Sequence, residues 1–297
     1  MENLLIQLLN GLVSGMLLFI LAAGLSLIFG LMDVIALTHG AFYLLGGYIG
    51  LSLVRTLDNF WLALILAPIV VGAIGLFLEY FFIRRLYGRA RHLDQVLFTF
   101  GVALITIDLT RAQWGAYVES VSPPTQLAGQ FRIFATEFPI YRLGLLAFGV
   151  LLAIVLWLLI NRTRLGAMVR AGVSDSEMVS GLGINIHAVF ASVFAFGCAL
   201  AGLAGVVGAP ILSLYPGLDS DILILALVVV VVGGLGTLEG AFFGSILIGL
   251  ADTFGKAFVP EFARFFIFAV MAAVLLIRPA GLFGLKGGLN EIGRAHV

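Results

Sequence analysis

The chain has 297 residues, 62% of them hydrophobic and 11% charged, with 16 basic against 16 acidic side chains. A soluble domain is about 45–50% apolar and about 25% charged, so this composition excludes a soluble globular enzyme and a disordered chain alike. Zero net charge leaves no basic footprint for nucleic acid, and a lone cysteine, Cys198, permits no intrachain disulfide.

What remains is an all-α, polytopic membrane bundle. A bilayer core about 30 Å thick needs roughly 20 apolar residues in helix. In chain order the candidate spans are 4–31, 36–54, 60–83, 95–112, 143–160, 188–212, 219–233, 240–254 and 262–277. Met1 to Gln7 holds no Lys or Arg, and its apolar run continues to Leu31, which reads as a retained first span rather than a cleaved signal peptide. The span 36–54 is marginal. The segments between 219 and 254 read either as full spans or as half-helices meeting at Gly233-Gly234-Leu235-Gly236. The expected count is eight or nine, with broken or re-entrant pieces.

Basic residues orient the bundle. Loop 84–94 holds Arg84, Arg85, Arg89 and Arg91, loop 161–187 holds Arg162, Arg164 and Arg170, and the tail holds Arg278, Lys286 and Arg294. These mark the cytoplasmic side. Loops 113–142 and 213–221 face outward, and the N-terminal side carries too little charge to assign. Residues 1–291 read as a single transmembrane domain. Ile292 to Val297 resemble a translated sequencing-adapter read, so 292–297 is taken as an artefactual tail and His296 receives no role.

Three stretches stand out. Asp33 to Gly40 places an acid, a hydroxyl (Thr38) and an imidazole (His39) between two apolar runs. Backbone freed at such a break is tolerated inside protein or beside a water-filled cavity, so Asp33, Thr38, His39 and Gly40 are pathway candidates; His39 bonding a loop carbonyl is the other reading. Gly233, Gly234, Gly236 and Glu239 form the matching break, and His39-Gly40-Ala41-Phe42 resembles Glu239-Gly240-Ala241-Phe242 as a weak internal repeat. The third stretch is loop 161–187. There Ser174 and Glu177 have the spacing of a capping box, Met178, Val179 and Leu182 form an apolar stripe, and Gly181 and Gly183 can end the helix. Such a helix lies on the membrane surface or docks in a groove of a soluble partner.

Ionisable groups in the spans sit near predicted membrane edges. Glu79 can pair with Arg84 or Arg85, Asp108 with Arg111, Asp252 with Lys256, and Glu261 with Arg264. No metal-ligand cluster, nucleophile–base motif or phosphate loop is present, so no cofactor is implied. If ATP drives transport, its site is on another chain.

Gly24-Leu25-Ser26-Leu27-Ile28-Phe29-Gly30-Leu31-Met32-Asp33-Val34-Ile35 with His39-Gly40-Ala41-Phe42 resembles the signature region of permeases of the high-affinity branched-chain amino acid ABC transporter family (leucine, isoleucine and valine type). Arg170-Ala171-Gly172, Glu177-Met178-Val179 and Gly181-Leu182-Gly183-Ile184-Asn185 resemble its ATPase-docking loop, and Val231 to Ala241 its glycine-rich segment. The resemblance implies a bacterial inner-membrane importer subunit with no catalysis of its own. It implies a second, related permease as heterodimer partner, two cytoplasmic ATPases and a periplasmic substrate-binding protein. It places the coupling helix at Ser174 to Gly183 and favours partner docking. A stand-alone secondary carrier or channel is the alternative, with the lack of intramembrane acids against it. The sequence shows no mid-membrane charged site for an amino acid's ammonium and carboxylate.

Overall fold

The computed structural model describes residues 2–32, 36–87, 92–133, 136–174 and 176–284. Among these the helices are α1 (Glu2–Met32), α2 (Thr38–Leu57), α3 (Phe60–Phe81), α4 (His92–Trp114), α5 (Ile140–Arg162), α6 (Arg164–Ser174), α7 (Ser176–Gly181), α8 (Ile186–Leu212), α9 (Leu218–Gly233), α10 (Leu238–Phe258) and α11 (Ala263–Ile277). In lipid every backbone N–H and C=O must be satisfied within the protein, and a helix does that locally. Two asparagines start helices here. Asn59 accepts from the Trp61 and Leu62 amides at the head of α3, and Asn185 accepts from the Ala188 amide at the head of α8. One feature departs from the all-helical expectation: outer loop 113–142 contains a short antiparallel hairpin, β1 (Gln130–Ile133) and β2 (Thr136–Pro139).

Among the described residues eight helices are long and apolar enough to cross a membrane: α1 to α5, α8, α10, and α11 with the turn before it. Their packing requires a ninth crossing. α1 runs antiparallel to α10, with Gly11 against Leu250, Gly15 against Ser245 and Ile246, Phe19 edge-on to Phe242 at 5.3 Å, and Ser26 Oγ donating to the Thr237 carbonyl at 3.1 Å. It also runs antiparallel to α8, with Leu17 beside Gly208 and Gly24 beside Gly197. So α8 and α10 point the same way, and α9 is the one helix between them in the chain. It must therefore return across the bilayer. It does so antiparallel to α10, with Val229 opposite Gly244 and Gly233 opposite Gly240. Its 16 residues span about 24 Å as a helix.

This corrects the half-helix reading of 219–254. α9 is a short full crossing, and α10 is a complete span of 21 residues. Nine crossings put the N-terminus and residue 277 on opposite faces of the bundle, with loops 84–94 and 161–187 on the face that holds residue 277. We take that face as the cytoplasmic one from the arginines of those loops.

α1, α2, α8, α9 and α10 form the centre, and small residues let their backbones approach. Gly46 against Gly202 at the α2–α8 crossing and Gly249 against Gly15 leave no room for a side chain. At the outer end Arg55 pairs with Glu119 at 2.5 Å and Trp114 donates to Ser52 Oγ at 2.7 Å. α3, α4, α5 and α11 form the periphery, and their outward faces carry exposed Leu, Ile, Val and Phe.

Candidate functional site

The described residues of both breaks pack closely against α1. The cytoplasmic end of α1 meets the α9–α10 turn: a Cβ on Gly30 would sit 2.5 Å from the Gly236 Cα. Gly234 and Gly236 have φ of 108° and 77°, in the left-handed region that glycine adopts without strain. Residues 281–284 close the junction from below, with Leu282 and Phe283 donating their amides to the Val232 and Gly233 carbonyls at 2.9 and 2.8 Å. Gly233, Gly234 and Gly236 are thus packed between backbones, while Glu239 is exposed in the first turn of α10, where its charge suits the helix dipole.

Asp33 lies outside the described residues. Thr38, His39 and Gly40 do not form irregular backbone, as the sequence had suggested; they are the first turn of α2, and all three are buried. That turn starts beside Gly24, about two turns before the end of α1. A Cβ on Gly24 would lie 3.0 Å from His39 Nε2, and one on Gly40 would strike the Asp219 carbonyl at the head of α9. The Leu21 backbone lies near the imidazole, yet neither ring nitrogen nor Thr38 Oγ1 makes a hydrogen bond of ordinary geometry. The resembling stretches 39–42 and 239–242 each begin one residue into a helix, but His39 is buried and Glu239 is exposed.

The cytoplasmic loop holds two helices rather than one. α6 begins after Thr163, whose hydroxyl accepts from the Gly166 amide at 3.2 Å. It lays Met168 and Val169 on the bundle, next to the ends of α1 and α8. Arg170 ties it back by donating to the Ile160 carbonyl. Ser174 ends α6 and so does not cap the next helix; the side chains of Ser174 and Glu177 lie outside the described residues. The stripe also splits. Val179 is 5% exposed and faces in, whereas Met178 and Leu182 are 66% and 72% exposed on the cytoplasmic surface. Gly181 is the last residue of α7, and Gly183 turns the chain with φ 83°.

Tyr87 pins this loop to its neighbour. Its hydroxyl donates to Glu79 Oε1 at 2.5 Å, and its ring stacks on His187 at 6.1 Å and meets Phe190 edge-on. Burial first, and then the Glu79 carboxylate, push the Tyr87 phenol above its ordinary pKa. Glu79 takes this phenol as its hydrogen-bond donor, not the Arg84 or Arg85 expected from sequence. The signal for α6 was present in the chain: Thr163 followed by Leu165, Met168, Val169 and Gly172 at helical spacing.

Sequence reading missed an outward cavity of about 320 Å³ between α1, α9, α10 and α11. Its wall includes Leu17, Leu225, Val228, Ile267 and Phe268. Its charged members are Asp221, Asp252, Lys256 and Arg264. Lys256 Nζ donates to Asp252 Oδ2 at 2.7 Å, the expected pair. Arg264 reaches across to Asp221 at 3.5 Å instead of back to Glu261. Tyr215 donates to Asp221 at 3.4 Å, and burial and that carboxylate raise its phenol pKa. Among the described residues no group of three or more His, Cys, Asp or Glu is placed to hold a metal ion.

Residues 7–275 match the family model described as the branched-chain amino acid transport system permease component. The high-affinity branched-chain amino acid transport system permease protein BraD of Pseudomonas aeruginosa is 31% identical over 294 residues, covering 94% of this chain and 95% of that protein. The high-affinity branched-chain amino acid transport system permease protein LivH of Escherichia coli K12 is 27% identical over 295 residues, covering 94% of both. A probable LivH of Methanocaldococcus jannaschii is 28% identical over 288 residues, covering 91% of this chain and 89% of its own length.

Proposed function

Because the chain belongs to the family of branched-chain amino acid transport system permease components, we propose that it is the membrane-spanning permease of an ATP-driven importer for branched-chain amino acids or related small polar solutes. It is a multi-pass membrane protein and a transporter membrane subunit. On this reading it works in a bacterial inner membrane beside a second, related permease, with two cytoplasmic ATPases below and a periplasmic substrate-binding protein above.

The observation that carries the reading is the pair α6–α7. It presents Met178 and Leu182 to the cytoplasm while α6 rests on the ends of α1 and α8. An amphipathic helix with exposed apolar anchors fits a groove on a soluble partner, and the chain itself has no phosphate-binding loop. Closure of an ATPase pair would press α6 and α7 against α1. The movement would pass to the α9–α10 turn through the contact of Gly30 with Gly236. Ser174, Glu177, Met178, Gly181 and Gly183 belong to the coupling element, and Thr38, His39 and Gly40 to the moving interior next to it, while Asp33 is a pathway candidate from the sequence alone. Gly233, Gly234, Gly236 and Glu239 serve as the junction that moves with α1.

The test is co-purification of the tagged chain from a host expressing its neighbouring genes. The expected result is an ATPase pair and a second permease, with the ATPases lost from a Gly183→Leu variant, since a side chain at a φ of 83° is strained. A chain that comes out alone and moves leucine into liposomes without ATP would replace this reading by the stand-alone carrier.

A further inference from the structure

The outward cavity has a polarity along its depth. Asp221 is in the first turn of α9, Lys256 and Asp252 are in the last two turns of α10, and Arg264 is in the first turn of α11. All four therefore lie toward the outer ends of their helices. Val228, two turns further along α9, and Ile267 and Phe268, one turn further along α11, lie deeper and face Leu17 of α1. The cavity has a charged rim and an apolar floor.

The rim carries two acids and two bases, paired as Asp252–Lys256 and Asp221–Arg264. Arg264 and Lys256 are largely exposed, at 85% and 66%, and their pairs are held by long side chains that can exchange partners. A solute with one positive and one negative group can insert between such pairs without leaving any charge uncompensated. The rim thus offers both signs of charge side by side, which complements a solute with one positive and one negative group better than a solute with a single charge. The floor then rewards a branched apolar body, and the volume sits at the low end of small-ligand pockets, which is about 300 Å³.

We infer that this cavity is an outward-facing site for a zwitterionic amino acid with an apolar side chain. Lys256 and Arg264 take its carboxylate, Asp252 and Asp221 take its ammonium, and its side chain rests among Leu17, Leu225, Val228, Ile267 and Phe268. The choice of leucine as probe rests on the importer reading; the charge layout does not. The site is consistent with the absence of a mid-membrane charged site for ammonium and carboxylate in the sequence. Its charged contacts sit at the outer membrane edge on three helices instead of at mid-membrane.

The experiment is equilibrium binding of radiolabelled L-leucine to the full chain in lipid nanodiscs. Saturable binding displaced by L-valine and L-isoleucine is expected. 4-Methylpentanoate, which lacks the ammonium, and 3-methylbutylamine, which lacks the carboxylate, should compete about tenfold less well or worse. Arg264→Gln and Asp252→Asn should each weaken binding by a similar factor, and Glu261→Gln should not. A double exchange, D252K with K256D, keeps the ion pair and therefore the fold, yet it inverts the local field and should weaken leucine binding. Absence of saturable binding would overturn the inference. So would rim variants that bind like the wild type, or competition by uncharged 4-methylpentan-1-ol equal to that of leucine, which would make the cavity a lipid-filled void. If leucine fails to bind while the ATPases still co-purify, this site falls and the importer reading stands. If leucine binds yet uptake needs no ATP, the importer reading falls and the site remains.

Discussion

Replacing Met178 and Leu182 together by glutamine is expected to detach the ATPase while leaving the bundle intact. Burying a Leu or Met side chain fully is worth about 1.5–3 kcal/mol. With 66% and 72% of the two residues still exposed, docking both in a groove recovers about 2–4 kcal/mol. Losing that contribution weakens the complex roughly 30- to 700-fold. The assay is a titration of the nanodisc-embedded permease with the ATPase that co-purifies with it, read by surface binding kinetics. Most of the change should fall in the dissociation rate, because mutants of one interface differ mainly there. Val179→Ala is the contrasting variant. Val179 faces the bundle at 5% exposure, so its truncation should lower thermal stability with little effect on docking. A double glutamine variant that holds the ATPase as tightly as the wild type would refute the argument, and so would a Val179→Ala effect on docking of the same size.

Three further outcomes follow from the packing. Gly30→Ala places a Cβ 2.5 Å from the Gly236 Cα, where carbons sit about 3.5–4.0 Å apart at rest. It should cost about 1–3 kcal/mol in a detergent unfolding titration, while Gly101→Ala, with nothing within 4 Å, should be neutral or slightly stabilising. Equal midpoints for the two would contradict the α1–turn junction. Tyr87→Phe removes the donor to buried Glu79 and should cost about 1–3 kcal/mol; Glu79→Gln combined with it should cost less than the sum of the single changes. A Ser213→Cys variant in a Cys198→Ala background should react with an impermeant maleimide added outside the cell, since Ser213 directly follows α8 at its outer end. Labelling confined to inverted vesicles would reverse the topology.

The sequence by itself determined the material and most of the plan. Continuous apolar runs of bilayer length can only be helices in lipid, because no water is there to satisfy the backbone. Arginine-rich loops orient them because those charges stay on the cytoplasmic side. The three motif regions identified the family without any geometry. The helical content of loop 161–187 was also legible, though not its division: Thr163, rather than Ser174, begins the first helix, because a cap is defined by where the chain turns and not by spacing alone.

Tertiary structure decided what depends on neighbours from elsewhere in the chain. α9 was ambiguous as a string of 16 residues and became a full crossing only because α8 and α10 both lie antiparallel to α1. His39 read as a break residue and proved to be the first buried turn of α2, since Gly24 leaves the space it fills. Gly236 read as part of a pathway and packs against Gly30. The outward cavity draws Asp221, Asp252, Lys256 and Arg264 from three helices, and just one of its two ion pairs falls at helical spacing. Local pattern reports on a residue's own helix. Contact between helices depends on which faces pack together, and that depends on the whole bundle.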